Sequence, residues 1–334
     1  MQSLFAKQRG IVGFGLGCLL VIAGAYAGGV FNHVSQQLGD LFITPRTPPI
    51  SAVIVEIDEK SIQAIGQWPW RRTVFAQVVR SLQDARAIGI DVALKDPSRY
   101  GATDDQVLTA ALRSSRVPVV LVSQLDDKEI QRPLFSPVAS TGYANISIDS
   151  DGVVRRLSLR VSSEPSFAQA IALRSGYTPT LSDGYIRFYG TNRTFDHVSL
   201  VDVISGRVDP ELWRGAIVLV GATAIDLQDI RQTPVGVMSG VEIQATLLAN
   251  LIAGDATHGS RGLDSAGIIA LSLLCFMSML RIPRHAIALV VSIACIGAYW
   301  IVAFIAFEQG LRLDVFYPTI AGFVGIVVAG AIHY

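Results

Sequence analysis

The stretch SAVIVEIDEKSIQAIGQWPWRRTVFAQVVRSLQDARAIGIDV, residues 51–92, decides the fold. Residues 51–58 are rich in valine and isoleucine and read as a buried strand. A short helical turn begins at Ser61. From Thr73 to Ala85, apolar residues fall at Val74, Phe75, Val78, Val79 and Leu82, which is helical spacing. Residues 87–92 (AIGIDV) then read as a second buried strand. A strand, a helix and a strand with continuous apolar runs describe a parallel pair covered by a crossover helix.

The same alternation continues. Residues 106–113 read as a helix, 117–122 (VPVVLV) as a strand, and 153–161 (VVRRLSLRV) as an alternating edge strand. Phe167 to Ser175 is helical, 185–189 (YIRFY) a strand, 198–204 a short helix, 216–220 (AIVLV) an apolar strand, and 241–253 a long helix leading toward the membrane. The expected fold is an α/β domain with a mainly parallel sheet and flanking helices, with antiparallel strands in its more polar middle.

Four apolar runs flank this region. Residues 10–31, 265–280, 286–307 and 315–332 carry no charge, and each is near the length that crosses a bilayer core. Charged residues make up 16% of the chain, against about 25% in an ordinary soluble domain, so the deficit fits membrane segments. The expected organisation is a tail (1–9), crossings at 10–31, 263–281, 286–307 and 315–332, and an exported domain over 32–262. Lys7 and Arg9 precede the first run, and Arg281, Arg284 and His285 lie between the second and third. Basic residues mark the cytoplasmic side. Both termini are therefore expected inside, with 308–314 and the domain outside. Ala25-Tyr26-Ala27 resembles a signal-peptide cleavage site, but the long apolar run and the three that follow favour an uncleaved anchor.

Cys18, Cys275 and Cys295 all lie in these runs, so no disulfide is expected in the domain. Net charge is zero with no basic tract, which argues against nucleic acid. No G-x-S-x-G elbow occurs, and His33, His197 and His258 have no zinc spacing; His197 reads as packing beside Phe195. Asp149-Ser150-Asp151-Gly152 lacks the later ligands of a calcium loop and reads as a tight turn, with Arg155 and Arg156 facing opposite sides of a strand. Gly221-Ala222-Thr223 is not a phosphate loop. No enzyme activity, cofactor or metal is expected. The uncharged crossings argue against a transporter. Gly13 and Gly17, Gly24 and Gly28, and Ala321, Gly325 and Ala329 recur at four-residue spacing. Such faces pack within one chain or between two, and a homodimer is the partner expected in the second case.

Taken in order, IVEIDEKSIQAIGQWPWRR, IGIDV, DDQVLTAAL, YANISIDSDGVVRRLSL, FAQAIAL, FDHVSLVDVISGRV, WRGAIVLVGATAIDLQDIRQTPVG and SGVEIQATLLANLI resemble the CHASE domain family, second type. The resemblance covers about residues 45–255. It implies an extracellular or periplasmic sensing domain of a bacterial inner-membrane receptor, binding a small molecule or protein. It also implies a cytoplasmic output enzyme: a nucleotide cyclase, a histidine or serine/threonine kinase, or a diguanylate cyclase. The segment 92–105 lacks the apolar-aromatic continuation of the family, so the second strand is expected to end early. The chain stops soon after the last apolar run with no output module, so the expectation is either a receptor fragment or a stand-alone sensor with its partner on another chain. The competing reading is a membrane-anchored scaffold for a periplasmic protein.

Trp68, Trp70, Arg71 and Arg72 follow the first strand, where open α/β sheets place ligands. Two arginines at a helix start oppose the helix dipole unless they pair with Asp58, Glu59 or an anionic ligand. A rigid corner, a ligand contact and a lipid-headgroup contact all stay open. Asp226, Asp229 and Arg231 follow the 216–220 strand and are expected at the same sheet edge, as a ligand site or a salt-bridge network.

Overall fold

The computed structural model describes residues 2–126, 129–157, 160–161, 164–179 and 184–333. The chain forms two compact units: Thr44–Ala256, and Met1–Ile43 together with Thr257–Tyr334.

The Thr44–Ala256 unit is built on a seven-stranded sheet. Its strands are β1 (Ala52–Ile57), β2 (Ala87–Asp91), β3 (Val119–Asp126), β4 (Glu129–Gln131), β5 (Ser140–Tyr143), β6 (Asp196–Ser199) and β7 (Ile217–Ala222). The order is β6-β1-β7-β2-β3, with β5 and β4 both beside β3. Every pair is parallel except the hairpin β3–β4. All of β1, and β7 through Gly221, is buried, as apolar central strands of a covered sheet must be.

In the chain, α1 (Gln2–Gly28) and α2 (Asn32–Asp40) come first, then α3 (Glu59–Ile65), α4 (Arg72–Ser81), α5 (Ala102–Arg113), α6 (Phe167–Arg174), α7 (Leu200–Ile204) and α8 (Gly240–Ala253). On one face of the sheet, Phe75, Val78 and Val79 of α4, Leu108 and Leu112 of α5 and Leu200 of α7 pack on Val53, Val55, Ile88, Ile90, Leu121 and Val218. The other face carries α6 and α8. Two glycines let these helices sit close. A Cβ at Gly221 would lie 2.6 Å from Cβ of Val241 on α8, and one at Gly142 would lie 2.7 Å from Cα of Phe167 on α6. Gly221, paired with Glu56 of β1 and Asp91 of β2, thus leaves room for α8 over the sheet.

Three sequence expectations change. Residues 185–189 are not a sheet strand beyond Gly184–Tyr185. Their backbone bonds go elsewhere: Arg187 N donates to Oδ1 of Asn250, Asn250 Nδ2 donates back to Arg187 O, and Arg46 N donates to Tyr189 O. The asparagine acts as one rung of a ladder, which satisfies an irregular buried segment. Residues 153–161 are not one strand either. Arg156–Leu157 pairs with Gly184–Tyr185, Arg160–Val161 pairs with Glu164–Pro165, and 158–159 lie outside the described residues. Lastly, β6 precedes the helix expected at 198–204, and its register against β1 pairs Ile54 with His197.

The other unit holds α1 and α2 with α9 (Arg261–Arg281), α10 (His285–Glu308) and α11 (Phe316–His333). Among the described residues, α9 and α10 are long and apolar enough to cross a membrane. Gly13–Gly28 and Asn32–Asp40 form a further candidate bent by 80°, and the apolar helix at Phe316–Ile332 is shorter. Gly325 of α11 lies so close to α9 that a Cβ would fall 2.4 Å from Ser272 O, so the Ala321-Gly325-Ala329 face packs within the chain. Gly13, Gly17 and Gly24 of α1 face open space. The expected crossing 263–281 carries a charge at each end of its uncharged core 265–280, Asp264 and Arg281. Asp264 is buried in the first turn of α9, accepting from Tyr26 Oη (2.7 Å) and Asp314 N (2.8 Å). Arg312 joins Asp40 at 2.9 Å.

Candidate functional site

The carboxyl ends of β1, β2 and β7 open onto loops that carry most of the polar residues singled out from the sequence. The first is the Trp68–Trp70 corner, whose Trp68–Pro69 peptide is cis. Trp70 is buried, and its Nε1 donates to Gly66 O at 2.7 Å. Trp68 stacks edge-on against Trp70 (5.3 Å between centroids) and Phe75 (6.2 Å). Aromatic area thus closes the top of the core, in keeping with the corner reading, while leaving one face on a cleft.

The arginine pair finds partners other than those expected. Arg71 turns away, exposed, with its guanidinium 4.5 Å from the Tyr100 ring. Arg72 is buried; its Nη2 donates to Asp96 O (2.8 Å) and its Nε sits 3.4 Å from Asp105. Asp104 stands in for the missing helix cap, accepting from the backbone N–H of Arg72 (2.8 Å) and Thr73 (3.2 Å). An anionic group there offsets both the helix dipole and the nearby guanidinium. Burial alone would raise the Asp104 carboxyl, but hydrogen bonds from Ser98, Arg72 and Thr73 hold it below the ordinary carboxylate value. The segment 92–105 therefore supplies the charges that stabilise the start of α4. Asp58 and Glu59 are not these partners. Asp58 caps α3, accepting from Ser61 N (2.8 Å) and from Ser199 Oγ (2.9 Å).

Trp68, Trp70, Arg72, Asp226 and Asp229 line one cleft of about 440 Å³, with Asp91 at the end of β2 and Ala222 at the end of β7. Gln228, on the same wall, adopts a left-handed backbone conformation (φ 54°), a sparsely populated state for a non-glycine residue. Next to it, Asp91, Ala93 and Asp229 also line a second cleft of about 290 Å³, together with Arg231, Gln124 and Gln244. Asp58 lies apart, in a depression of about 470 Å³ with Glu56, Arg193 and His197.

Asp91 was not among the sequence candidates. Its signal was position: an acidic residue closing a buried parallel strand. Burial raises its carboxyl to about 7, and the neighbouring Asp229 charge adds to the shift. Burial also raises Asp229, against the pull of Arg231 at 3.6 Å.

A second buried constellation had no local signal. His197 does not merely pack beside Phe195: its Nδ1 lies 2.8 Å from Glu56 Oε1 and its Nε2 lies 2.7 Å from Glu242 Oε2. Arg193 reaches Glu56 at 2.9 Å, and Thr194 N donates to Glu242 (2.8 Å). Burial by itself would lower the imidazole, but the two carboxylates outweigh it and raise it to about 9. Glu56, raised by burial, is drawn below its ordinary value by His197 and Arg193. This imidazolium ties β6, β1 and α8 together.

At Asp149–Gly152 the structure shows the expected tight turn: Gly152 N donates to Asp149 O at 2.9 Å with a positive φ of 82°. Arg155 is buried and Arg156 exposed, yet both reach the carboxylates of the turn. Arg155 Nη1 lies 2.9 Å from Asp151 and 3.4 Å from Asp149, and Arg156 Nε lies 2.7 Å from Asp149. The strand begins one residue later, at Arg156. Among the described residues, no group of three or more His, Cys, Asp or Glu side chains is arranged to hold a metal ion.

Compared with known families, the chain matches the CHASE2 domain over residues 17–280. This span extends past the α/β unit at both ends, into the first apolar helix and through most of α9. No curated protein and no solved structure matches the chain.

Proposed function

The chain belongs to the CHASE2 domain family of sensory domains, and on that premise we propose that it is the signal-receiving part of a bacterial inner-membrane receptor. In this reading the Thr44–Ala256 unit lies in the periplasm, four helices cross the membrane and both termini are cytoplasmic. The observation that carries the reading is the 440 Å³ cleft at the carboxyl ends of β2 and β7, where a parallel sheet conventionally receives a small ligand. Its walls come from three separate loops, after β1, β2 and β7, so an occupant that binds one loop arrangement better than another biases the unit. The chain continues from α8 into α9 through residues 254–260, which offers a covalent route for that bias. The output is a cyclase, kinase or diguanylate cyclase, in the same or another chain. Trp68, Trp70, Arg72, Asp226 and Asp229 are the ligand-contact candidates.

The test is a fusion of the full chain at Tyr334 to a cyclase reporter that works only in the cytosol. Ala93 lines both clefts, and Ala93→Trp fills them from the rim. The wild-type fusion should respond to the composition of the periplasmic medium and the Ala93→Trp fusion should not. A silent reporter at Tyr334, with a periplasm-only reporter active there, would overturn the topology. A response equal in both fusions would overturn the role of the cleft.

A further inference from the structure

We propose that Asp91 and Asp229, with the unpaired amide oxygen of Gln244, form the binding point for the ammonium group of a small organic amine. This rests on the sensor reading above and names the chemical class of its ligand. Gln244 is buried (2% exposed) and lines the 290 Å³ cleft. Its Nε2 donates to Ala144 O (3.0 Å), but its Oε1 is buried with no donor. A buried acceptor left unpaired costs stability, and such groups normally have a partner.

The carboxylates beside it are half-buried and open to the clefts, with few donors of their own. No described residue donates a hydrogen bond to Asp91, which shares the walls of both clefts with Asp229 and feels its charge. Asp229 has Arg231 at 3.6 Å, and that guanidinium also donates to Ile230 O at 2.9 Å. The other cation on these walls, Arg72, is held by Asp96 O and Asp105. Asp226 adds a further negative charge at the rim. The two clefts share Asp91, Ala93 and Asp229, and Gln244 lines the smaller one beside them, so two carboxylates and an amide border the same 290 Å³ space. What is lacking is a group with several N–H donors and a positive charge, which describes an ammonium.

The remaining walls suit an organic cation more than a bare ion. The clefts, about 440 and 290 Å³, are far larger than a metal ion, and Trp68 and Trp70 present ring surface to the larger one. Binding energy would thus come from charge at the shared point and from apolar and cation–π contact beside it.

The experiment uses the full-length chain in phospholipid nanodiscs, titrated with putrescine, L-lysine, the neutral isostere 1,4-butanediol, and calcium chloride. Saturable binding of putrescine or L-lysine, with none of the diol, is expected. Asp91→Asn should weaken it about tenfold, the scale of a lost charge-assisted contact, without lowering the unfolding midpoint, because no internal pair is broken. Gln244→Leu removes the unpaired acceptor together with the Nε2 bond to Ala144 O; it should also weaken binding, with its unfolding midpoint measured to separate that loss from a loss of fold. Arg231→Ala separates the sources: weakened L-lysine with intact putrescine identifies an amino acid whose carboxylate uses Arg231, and equal behaviour identifies a simple amine; either result upholds the ammonium site. No saturable binding of either amine, binding equal to that of the diol, binding indifferent to Asp91→Asn, or competition by calcium alone would overturn it. The sensor reading stands or falls separately, on the reporter fused at Tyr334.

Discussion

His197→Gln tests the buried triad and has a pH signature that simple packing lacks. His197, Glu56 and Glu242 have side chains 3%, 8% and 0% exposed, so the charges are paired out of water. Removing the imidazolium leaves two carboxylates with Arg193 on one and Thr194 N on the other. Breaking a buried ion pair from one side costs about 3–5 kcal/mol, and the surviving partners place this case near about 3. At about 2 °C per kcal/mol for a unit of this size, the unfolding midpoint falls by about 6 °C. The pH dependence follows from the folded imidazole value of about 9. The unfolded value is about 6.5, so the folded state binds the proton more tightly. The stabilisation is therefore full below about pH 6.5, declines through about pH 9, and amounts to about 3 kcal/mol. Urea unfolding of the full-length chain, followed by tryptophan fluorescence, should show wild type losing about 3 kcal/mol between pH 6.5 and 9.5. The His197→Gln protein should lie below wild type at pH 6.5 and converge with it at pH 9.5. A flat wild-type profile, or the same slope in the variant, would refute the charged triad.

Other perturbations probe the remaining arguments. Asp104→Ala removes the acceptor for two N–H groups of α4. It should destabilise by about 1–2 kcal/mol at neutral pH; because hydrogen bonds hold the folded carboxyl below its ordinary value, wild type should keep that advantage through the ordinary carboxylate range and lose it only at more acid pH, where the two unfolding curves should merge. Asp91→Asn deletes a carboxylate that burial raises to about 7; it should stabilise the ligand-free chain, by about 2 kcal/mol more at pH 8 than at pH 5, in calorimetry at the two pH values. Gly221→Ala drives a methyl to 2.6 Å from Val241 Cβ; it should cost about 1–3 kcal/mol, partly recovered by Val241→Ala in a double-mutant cycle. Asn250→Ala removes both hydrogen bonds that hold the Arg187 backbone; it should cost about 2–3 kcal/mol and expose amides 186–189 to hydrogen exchange.

The sequence by itself determined the class of fold and the family. Strands at 52–57, 87–91 and 217–222 were legible because a strand covered on both faces must be apolar along its whole length. The helix over 73–85 was legible from its 3.6-residue stripe, and the long apolar helices of the other unit from their uncharged runs. The order of strands was not legible, because a parallel register is set by contacts between segments far apart in the chain, and β6, with the polar run Asp196–Ser199, has no apolar signature. The Trp68–Arg72 stretch announced a special corner, but its electrostatics came from Asp104, 32 residues away, and only folding brought that carboxylate to the start of α4. His197 looked solitary because its partners Glu56 and Glu242 lie 141 and 45 residues off. Local patterning records which faces are buried; the pairing of charges inside depends on which of those faces meet, and only the tertiary structure decides that.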